Sequence, residues 1–212
     1  MESIIECANY CLNCKLKPCS IKGCPMQTKI PEFITEVKNE NYGSAYEILQ
    51  ENNIFSYICS IVCPQEEQCE GSCVRGIKSV PTSIGKLEKE VNEWATKNNY
   101  EYKIEKKYTN GKKIAIIGSG PSGIECAVEL LKNGYAVDIY EKDSIPVGIL
   151  VYWIPDFRLS KDIVQNIINK VKELGGNFLT NKELGKDFEL KELSKKYDAV
   201  FLGVGATKSS TY

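Results

Sequence analysis

The stretch CLNCKLKPCSIKGCPM, Cys11 to Met26, sets four cysteines within fourteen residues and closes them on a Cys-Pro pair. A second group follows at Cys59, Cys63, Cys69 and Cys73, with Pro64 after Cys63. No other feature constrains the fold so strongly. Cysteines crowded onto short segments either cross-link or converge on metal. Of the ten cysteines, nine precede Val74 and only Cys126 lies beyond it, while histidine is absent. The front of the chain is therefore expected to fold around something inorganic and the back to fold on its own terms.

Eight thiolates in two sets of four predict two four-ligand centres. A tight cysteine run ending in Cys-Pro is how bacterial ferredoxins present iron–sulfur ligands, and there the last cysteine serves the other cluster. The two sequence groups therefore need not be the two ligand sets. Structural zinc also takes four thiolates, often as paired C-x-x-C knuckles, and only Cys11 and Cys14 have that spacing. Disulfides require an oxidising compartment. Spacing favours iron–sulfur and leaves zinc and disulfides open.

Formal net charge is -1, which gives no reason to expect nucleic acid or an anionic membrane as partner. The opening MESIIECANY lacks the basic, apolar and small-residue order of an export signal. No apolar run nears the roughly 20 residues that span a bilayer. A cytoplasmic protein with reduced thiols is the expectation.

Two domains are predicted, 1–110 and 111–212, joined by the polar NNYEYKIEKKYTNGKK with its turn pair Asn110-Gly111. In the first, IPEFITEVKNE, SAYEILQEN and IGKLEKEVNEWATK have helical spacing, the last placing Ile84, Leu87, Val91 and Trp94 on one face. A small helical domain with long cysteine-bearing loops gathers little core, so a bound centre would add cohesion. In the second, KIAIIG reads as a buried strand, GPSGIECAVELLKNG as a helix and AVDIYE as another strand. A helix over LSKDIVQNIINKVKELGG, a short strand at NFLT and an apolar final strand in DAVFLGVGAT follow, with no further helix before Tyr212.

Gly118-Ser119-Gly120-Pro121-Ser122-Gly123 follows a strand and opens a helix, the setting in which G-x-G-x-x-G counts. Gly118 permits the tight turn, Gly120 lets backbone approach a pyrophosphate, Gly123 lets helix pack on strand, and the helix N-terminus faces the anion. Glu141, 23 residues after Gly118, is placed for ribose hydroxyls. FAD and NAD both use such a loop.

The order CLNC, PC, CPM, IPEF, CSIVCPQEEQCEGSCVRG and PTSIGKLE resembles the iron–sulfur domain at the N-terminus of the NADPH-dependent glutamate synthase small (beta) subunit family. Dihydropyrimidine dehydrogenase carries a similar domain. The resemblance implies an α-helical iron–sulfur domain followed by an incomplete α/β Rossmann-like FAD-binding domain. It implies interleaved ligands: Cys11, Cys14, Cys19 and Cys73 on one 4Fe-4S cluster, and Cys24, Cys63 and Cys69 on another. The family's eighth ligand is a Glu or Gln oxygen in an I-G-x-L-E/Q stretch, which points to Glu88, with Cys59 the alternative. Ile154-Pro155-Asp156-Phe157-Arg158-Leu159 matches the family's flavin domain and implies FAD, lined by Gly148, Leu150 and Arg158. Two places depart from it. Val147 stands where relatives have the first glycine of a pair, and Trp153 replaces the glycine of Tyr-Gly-Ile-Pro.

Relatives continue into a second dinucleotide domain for NADPH, and no second G-x-G-x-x-G occurs here. The expected function is electron transfer within a flavin and iron–sulfur oxidoreductase. Its partner would resemble the glutamate synthase large subunit or a ferredoxin. Two other readings stay open: a truncated, cluster-stabilised binding module without catalysis, and a zinc-stapled nucleotide-binding protein.

Overall fold

The computed structural model describes residues 3–206. The expectation that no helix follows the last strand falls on 207–212, outside them. Contacts divide the chain into two units, Met1–Lys103 and Ile104–Tyr212.

The first unit is helical: α1 (Ile4–Asn9), α2 (Ile30–Lys38), α3 (Tyr42–Asn52), α4 (Ser56–Val62) and α5 (Ile84–Lys97). A π turn at Cys19–Gly23 and a 3-10 turn at Val74–Ile77 interrupt the loops. Ser3 and Glu6 form a reciprocal capping box that starts α1. On α2, Ile30, Phe33, Ile34 and Val37 recur at helical spacing, with Pro31 tolerated in the first turn, where its missing N–H costs nothing. Phe33, Ile34, Val37, Leu49, Leu87 and Val91 are shut off from solvent in one core. Each contributes about 1.5–3 kcal/mol by burial. A buried polar chain ties three helices together: Gln50 Nε2 donates to Ser56 Oγ at 2.9 Å, and Ser56 Oγ donates to Asn92 Oδ1 at 3.1 Å. Asn92 Nδ2 then donates to the Glu88 carbonyl at 2.8 Å.

The second unit alternates strand and helix: β1 (Lys113–Ile117), α6 (Pro121–Lys132), β2 (Ala136–Tyr140), α7 (Ile149–Tyr152), α8 (Lys161–Glu173), β3 (Asn177–Leu179), α9 (Leu190–Lys196) and β4 (Ala199–Leu202). The strands form a parallel sheet in the order β3-β2-β1-β4. Ile116 and Ile139 of the central strands and Ile124 and Leu131 of α6 are fully covered. The expected apolar final strand is β4, which lies at an edge of the sheet, half-buried at Val200 and Phe201 and exposed at Leu202. The short helices α1, α4, α7 and α9 go beyond the helices anticipated. Residues 104–110 bond onto the end of α6, where Lys107 N donates to Lys132 O and Asn110 N to Gly134 O.

Beneath the sheet, Asp138 accepts from Lys113 Nζ at 2.7 Å, Tyr197 Oη at 2.5 Å and Asn177 Nδ2 at 3.1 Å. Tyr140 and Tyr197 share a 2.8 Å hydroxyl contact. This network joins β1, β2, β3 and the residue after α9.

Candidate metal centres and nucleotide loop

Cys11, Cys14, Cys19 and Cys73 line one hollow whose floor is Ile30, Ile34 and Ile84. The chain reaches this arrangement by specific ties. Arg75 donates from Nε to Tyr10 O at 2.9 Å, and its guanidinium stacks 4.2 Å above the Tyr10 ring. Tyr10 Oη donates to Val80 O at 3.1 Å. These contacts draw the segment after Cys73 onto the end of α1, beside Cys11. Lys38 Nζ fixes the Cys11 carbonyl at 2.8 Å. Burial pushes the Cys19 thiol up to about 11, hydrogen bonds from Ser20 ease the shift, and charge on Cys11 or Cys73 would push it further.

Cys24, Cys63, Cys69, Glu88 and Cys59 make a second neighbourhood. The π turn lies hard against the loop after α4, since a Cβ on Gly23 would sit 2.6 Å from Gln68 O and 2.8 Å from Cys69 Cα. Only glycine permits that approach, which seats Cys24 beside Cys69. Gly85 N donates to Glu70 Oε1 at 2.9 Å, fastening the first turn of α5, and hence Glu88, over the same loop. Burial pushes the Cys69 thiol up to about 12, with Glu88, Glu70 and Cys24 adding to it. A hydrogen bond from Cys59 pulls Cys63 down against its burial, while Glu88, Cys69 and Cys24 oppose it.

Glu88 is 9% exposed, not a solvated helix residue. It follows Ile84 by four residues and precedes Val91 by three, inside the inward stripe of α5. Burial drives its carboxyl well above the ordinary range, and Cys59 adds to the shift. Its side chain accepts no hydrogen bond among the described residues. Cys59 lies one turn before Cys63 and accepts from Asn53 Nδ2 at 3.4 Å.

Two threonines with no sequence signal adjoin the thiols. Cys73 Sγ lies 3.7 Å from Thr82 Oγ1, and Cys24 Sγ 3.4 Å from Thr28 Oγ1, both hydroxyls on buried residues. A hydroxyl accepts from a thiol and donates to a thiolate, so these contacts survive deprotonation. Among the described residues no three His, Cys, Asp or Glu side chains gather tightly enough for a single ion. Four thiolates on one zinc at about 2.3 Å must stand within about 4 Å of each other. A four-iron core keeps its metal ions inside the ring of donors and holds the sulfurs farther apart.

In the second unit Gly118 has φ +97°, and a Cβ there would sit 2.2 Å from Gly203 O. At Gly123 a Cβ would sit 2.0 Å from Gly118 O, so α6 packs directly on the turn. Gly120 caps α6 and faces open space, with Pro121 and Ser122 in the first helical turn. Glu141 is buried and turned toward the loop: Oε2 accepts from Ser119 N at 3.0 Å and from Ser119 Oγ, and Oε1 from Asp143 N at 3.0 Å. Val147 N donates to Ser119 Oγ at 2.9 Å, which brings Val147 and Gly148 beside Gly120. Val147 is fully buried at φ +74°, a left-handed conformation costly to a β-branched residue. Trp153, by contrast, has an ordinary backbone and points outward, 67% exposed. Leu150 is buried, and Arg158 is exposed without a side-chain hydrogen bond among the described residues.

Residues 1–100 match the family described as dihydropyrimidine dehydrogenase domain II, 4Fe-4S cluster. Over 206 residues, 97% of the chain, the sequence is 35% identical to the NAD-dependent dihydropyrimidine dehydrogenase subunit PreT of Escherichia coli, covering 50% of that protein. It is 34% identical over 95% of its length to the NADPH glutamate synthase small chain of Escherichia coli, covering 43% of it. For the Azospirillum brasilense small chain the values are 33%, 98% and 43%. The chain thus spans about half the length of the curated relatives it matches. Among solved structures, FprA of Mycobacterium tuberculosis in complex with NADPH aligns with 47% of this chain and 24% of its own. The two are 32% identical there with a TM-score of 0.43, too small an overlap to carry a structural argument. On its sequence matches the chain is similar to the glutamate synthase small-chain and PreT proteins over nearly its whole length, and its front is similar to the 4Fe-4S family of dihydropyrimidine dehydrogenase domain II.

Proposed function

We propose that this chain is the electron-transfer part of a flavin and iron–sulfur NAD(P)H oxidoreductase. Cys11, Cys14, Cys19 and Cys73 hold one 4Fe-4S cluster, and Cys24, Cys63, Cys69 and Glu88 hold the other. FAD lies over the Gly118–Gly123 loop, and a partner subunit or domain carries the next redox centre. The observation that supports this reading best is the hollow lined by Cys11, Cys14 and Cys19 together with Cys73. Cys73 arrives there from the other sequence group, across α2, α3 and α4.

When bound, such clusters supply one-electron steps whose potential is set by ligands and by hydrogen bonds to sulfur. The chain's own part is to gather donors from distant loops, exclude water with the isoleucine floor, and aim N–H and O–H groups at sulfur. Asn13 N donates to Cys11 Sγ at 3.5 Å, and Thr82 stands by Cys73. The raised thiols of Cys19 and Cys69 must shed protons before they ligate, so loading strengthens with pH.

Iron, sulfide and zinc analysis of anaerobically purified protein tests the reading. About eight irons and eight sulfides per chain, with no zinc, are expected from two four-iron centres. Colourless protein with stoichiometric zinc would replace it with the zinc-stapled alternative. A binding module without flavin is favoured by one observation, the buried, left-handed Val147 beside the loop. Incubation with FAD and desalting separates these, because retained stoichiometric flavin supports the oxidoreductase and flavin-free protein supports the module.

A further inference from the structure

The two cysteine neighbourhoods carry opposite charge on their loops. Residues 11–24, which give Cys11, Cys14 and Cys19 to the first neighbourhood and Cys24 to the second, hold Lys15, Lys17 and Lys22, residues 73–80 hold Arg75 and Lys78, and neither segment has a carboxylate. Residues 63–72, which serve the second neighbourhood, hold Glu66, Glu67 and Glu70 and no cation. In a chain of net charge -1 this is a polarity, not a composition effect. Lys17 is spent on Glu32, and Arg75 is folded onto Tyr10. Lys15, Lys22 and Lys78 are exposed and form no ion pair among the described residues.

The same two segments expose large apolar side chains. Leu16 is 81% exposed, Ile77 77% and Val80 69%. Single exposed apolar residues are ordinary. Three of them, with free lysines interspersed on the loops that supply the first hollow, match the anatomy of a docking patch: apolar contact within a charged rim.

We infer that the Cys11, Cys14, Cys19 and Cys73 end of the first unit is the docking face for an acidic electron-carrying protein. Resting on the cluster reading above, the inference names the partner's chemistry and the centre it approaches. The lysines would steer an acidic partner and speed encounter, while Leu16, Ile77 and Val80 would hold it once docked. The glutamates over the second neighbourhood would turn the same partner away from that end.

The test uses the full chain with its clusters, and an acidic plant-type ferredoxin as probe. Iron content and visible absorption of each sample report the cluster reading separately. At about 10 mM salt, where screening is weak, K15E/K22E/K78E is expected to weaken ferredoxin binding and slow electron transfer at least tenfold. The wild-type salt dependence should largely vanish in that variant. E66K/E67K should leave both within twofold, and L16S/I77S should weaken binding even at high salt. If binding follows Glu66 and Glu67 rather than the lysines, or basic cytochrome c binds more tightly than ferredoxin at low salt, the assignment is overturned.

Discussion

Replacing Cys19 and Cys73 by alanine, singly and together, asks whether the ligand sets cross between the two sequence groups. Cys19 feels the charges of Cys11 and Cys73, whereas Cys69 feels those of Glu88 and Cys24. If the sets follow that pattern, C19A and C73A strike the same centre. Each should lower iron from about eight to about four per chain, and the double variant should also keep about four. If each sequence group held its own cluster, the double variant would fall to nearly zero. C69A/C73A provides the mirror case, with near-zero iron when the sets cross and about four when each sequence group holds its own cluster. The assay is iron and sulfide per chain after anaerobic purification, with electron paramagnetic resonance of the reduced protein to identify the surviving centre. A helical circular dichroism melt accompanies it, because cluster loss weakens folding. The core of Phe33, Ile34, Leu49, Leu87 and Val91 also contains Cys19 and Cys69, so loss of a centre should lower the melting temperature of α2, α3 and α5 together. Near-zero iron in C19A/C73A beside about four in C69A/C73A would refute the crossing.

Four other outcomes follow from the geometry of the two units. E88A should lose the second centre, about four irons, while C59A keeps about eight; the reverse result would make Cys59 the ligand. T82V removes an O–H donor from Cys73 and should make the potential of that centre more negative by about 20–40 mV, taking about 0.5–1 kcal/mol for the bond in a one-electron couple, as redox titration reads. Tyr197→Phe leaves Asp138 with Lys113 and Asn177 but without its hydroxyl donor, and should cost about 1.5–3 kcal/mol in denaturant unfolding. Burial alone would raise the Asp138 carboxyl, yet donors from Lys113, Tyr197 and Asn177 outweigh it and hold the group below its ordinary value of 3.8. Its stabilisation is therefore fully present above that value and is lost as pH falls through the lower folded one. Asp138→Asn should be less stable at neutral pH and show a shallower acid limb below about pH 4.

Helices with an apolar stripe were legible in the sequence because their periodicity is local. α2, α5, α6 and α8 each present such a stripe, and the β1, α6, β2 unit announces itself by two apolar runs around a glycine turn. α4, SYICSIV, was not legible: it is apolar nearly all round, so it has no period to read. α9, LKELSKK, buries only Leu193 and looks like a charged loop. β4 was legible as a strand from its apolar composition, but composition does not record which strand ends a sheet. Thr28 and Thr82 carried no signal, because their proximity to sulfur comes from loop packing across the unit.

Glu88 shows how a candidate site residue can be partly visible without any family comparison. The positions Ile84, Leu87, Glu88 and Val91 follow i, i+3, i+4, i+7, so a carboxylate occupies a slot that the stripe reserves for apolar groups. A buried carboxyl without donors costs several kcal/mol if charged and otherwise stays protonated. Burial accordingly drives the Glu88 carboxyl above its ordinary range, with Cys59 adding to the shift. Leucine there would pack the core at no such cost. A helix with Glu at this slot, near Cys59, Cys63 and Cys69, would suit a partner that wants an oxygen donor. Iron is such a partner, and the carboxyl would lose its proton on binding it. The same reasoning separates Glu88 from Cys59, which is half-buried and already tied to Asn53 and Cys63, so that its thiol needs no metal to be satisfied.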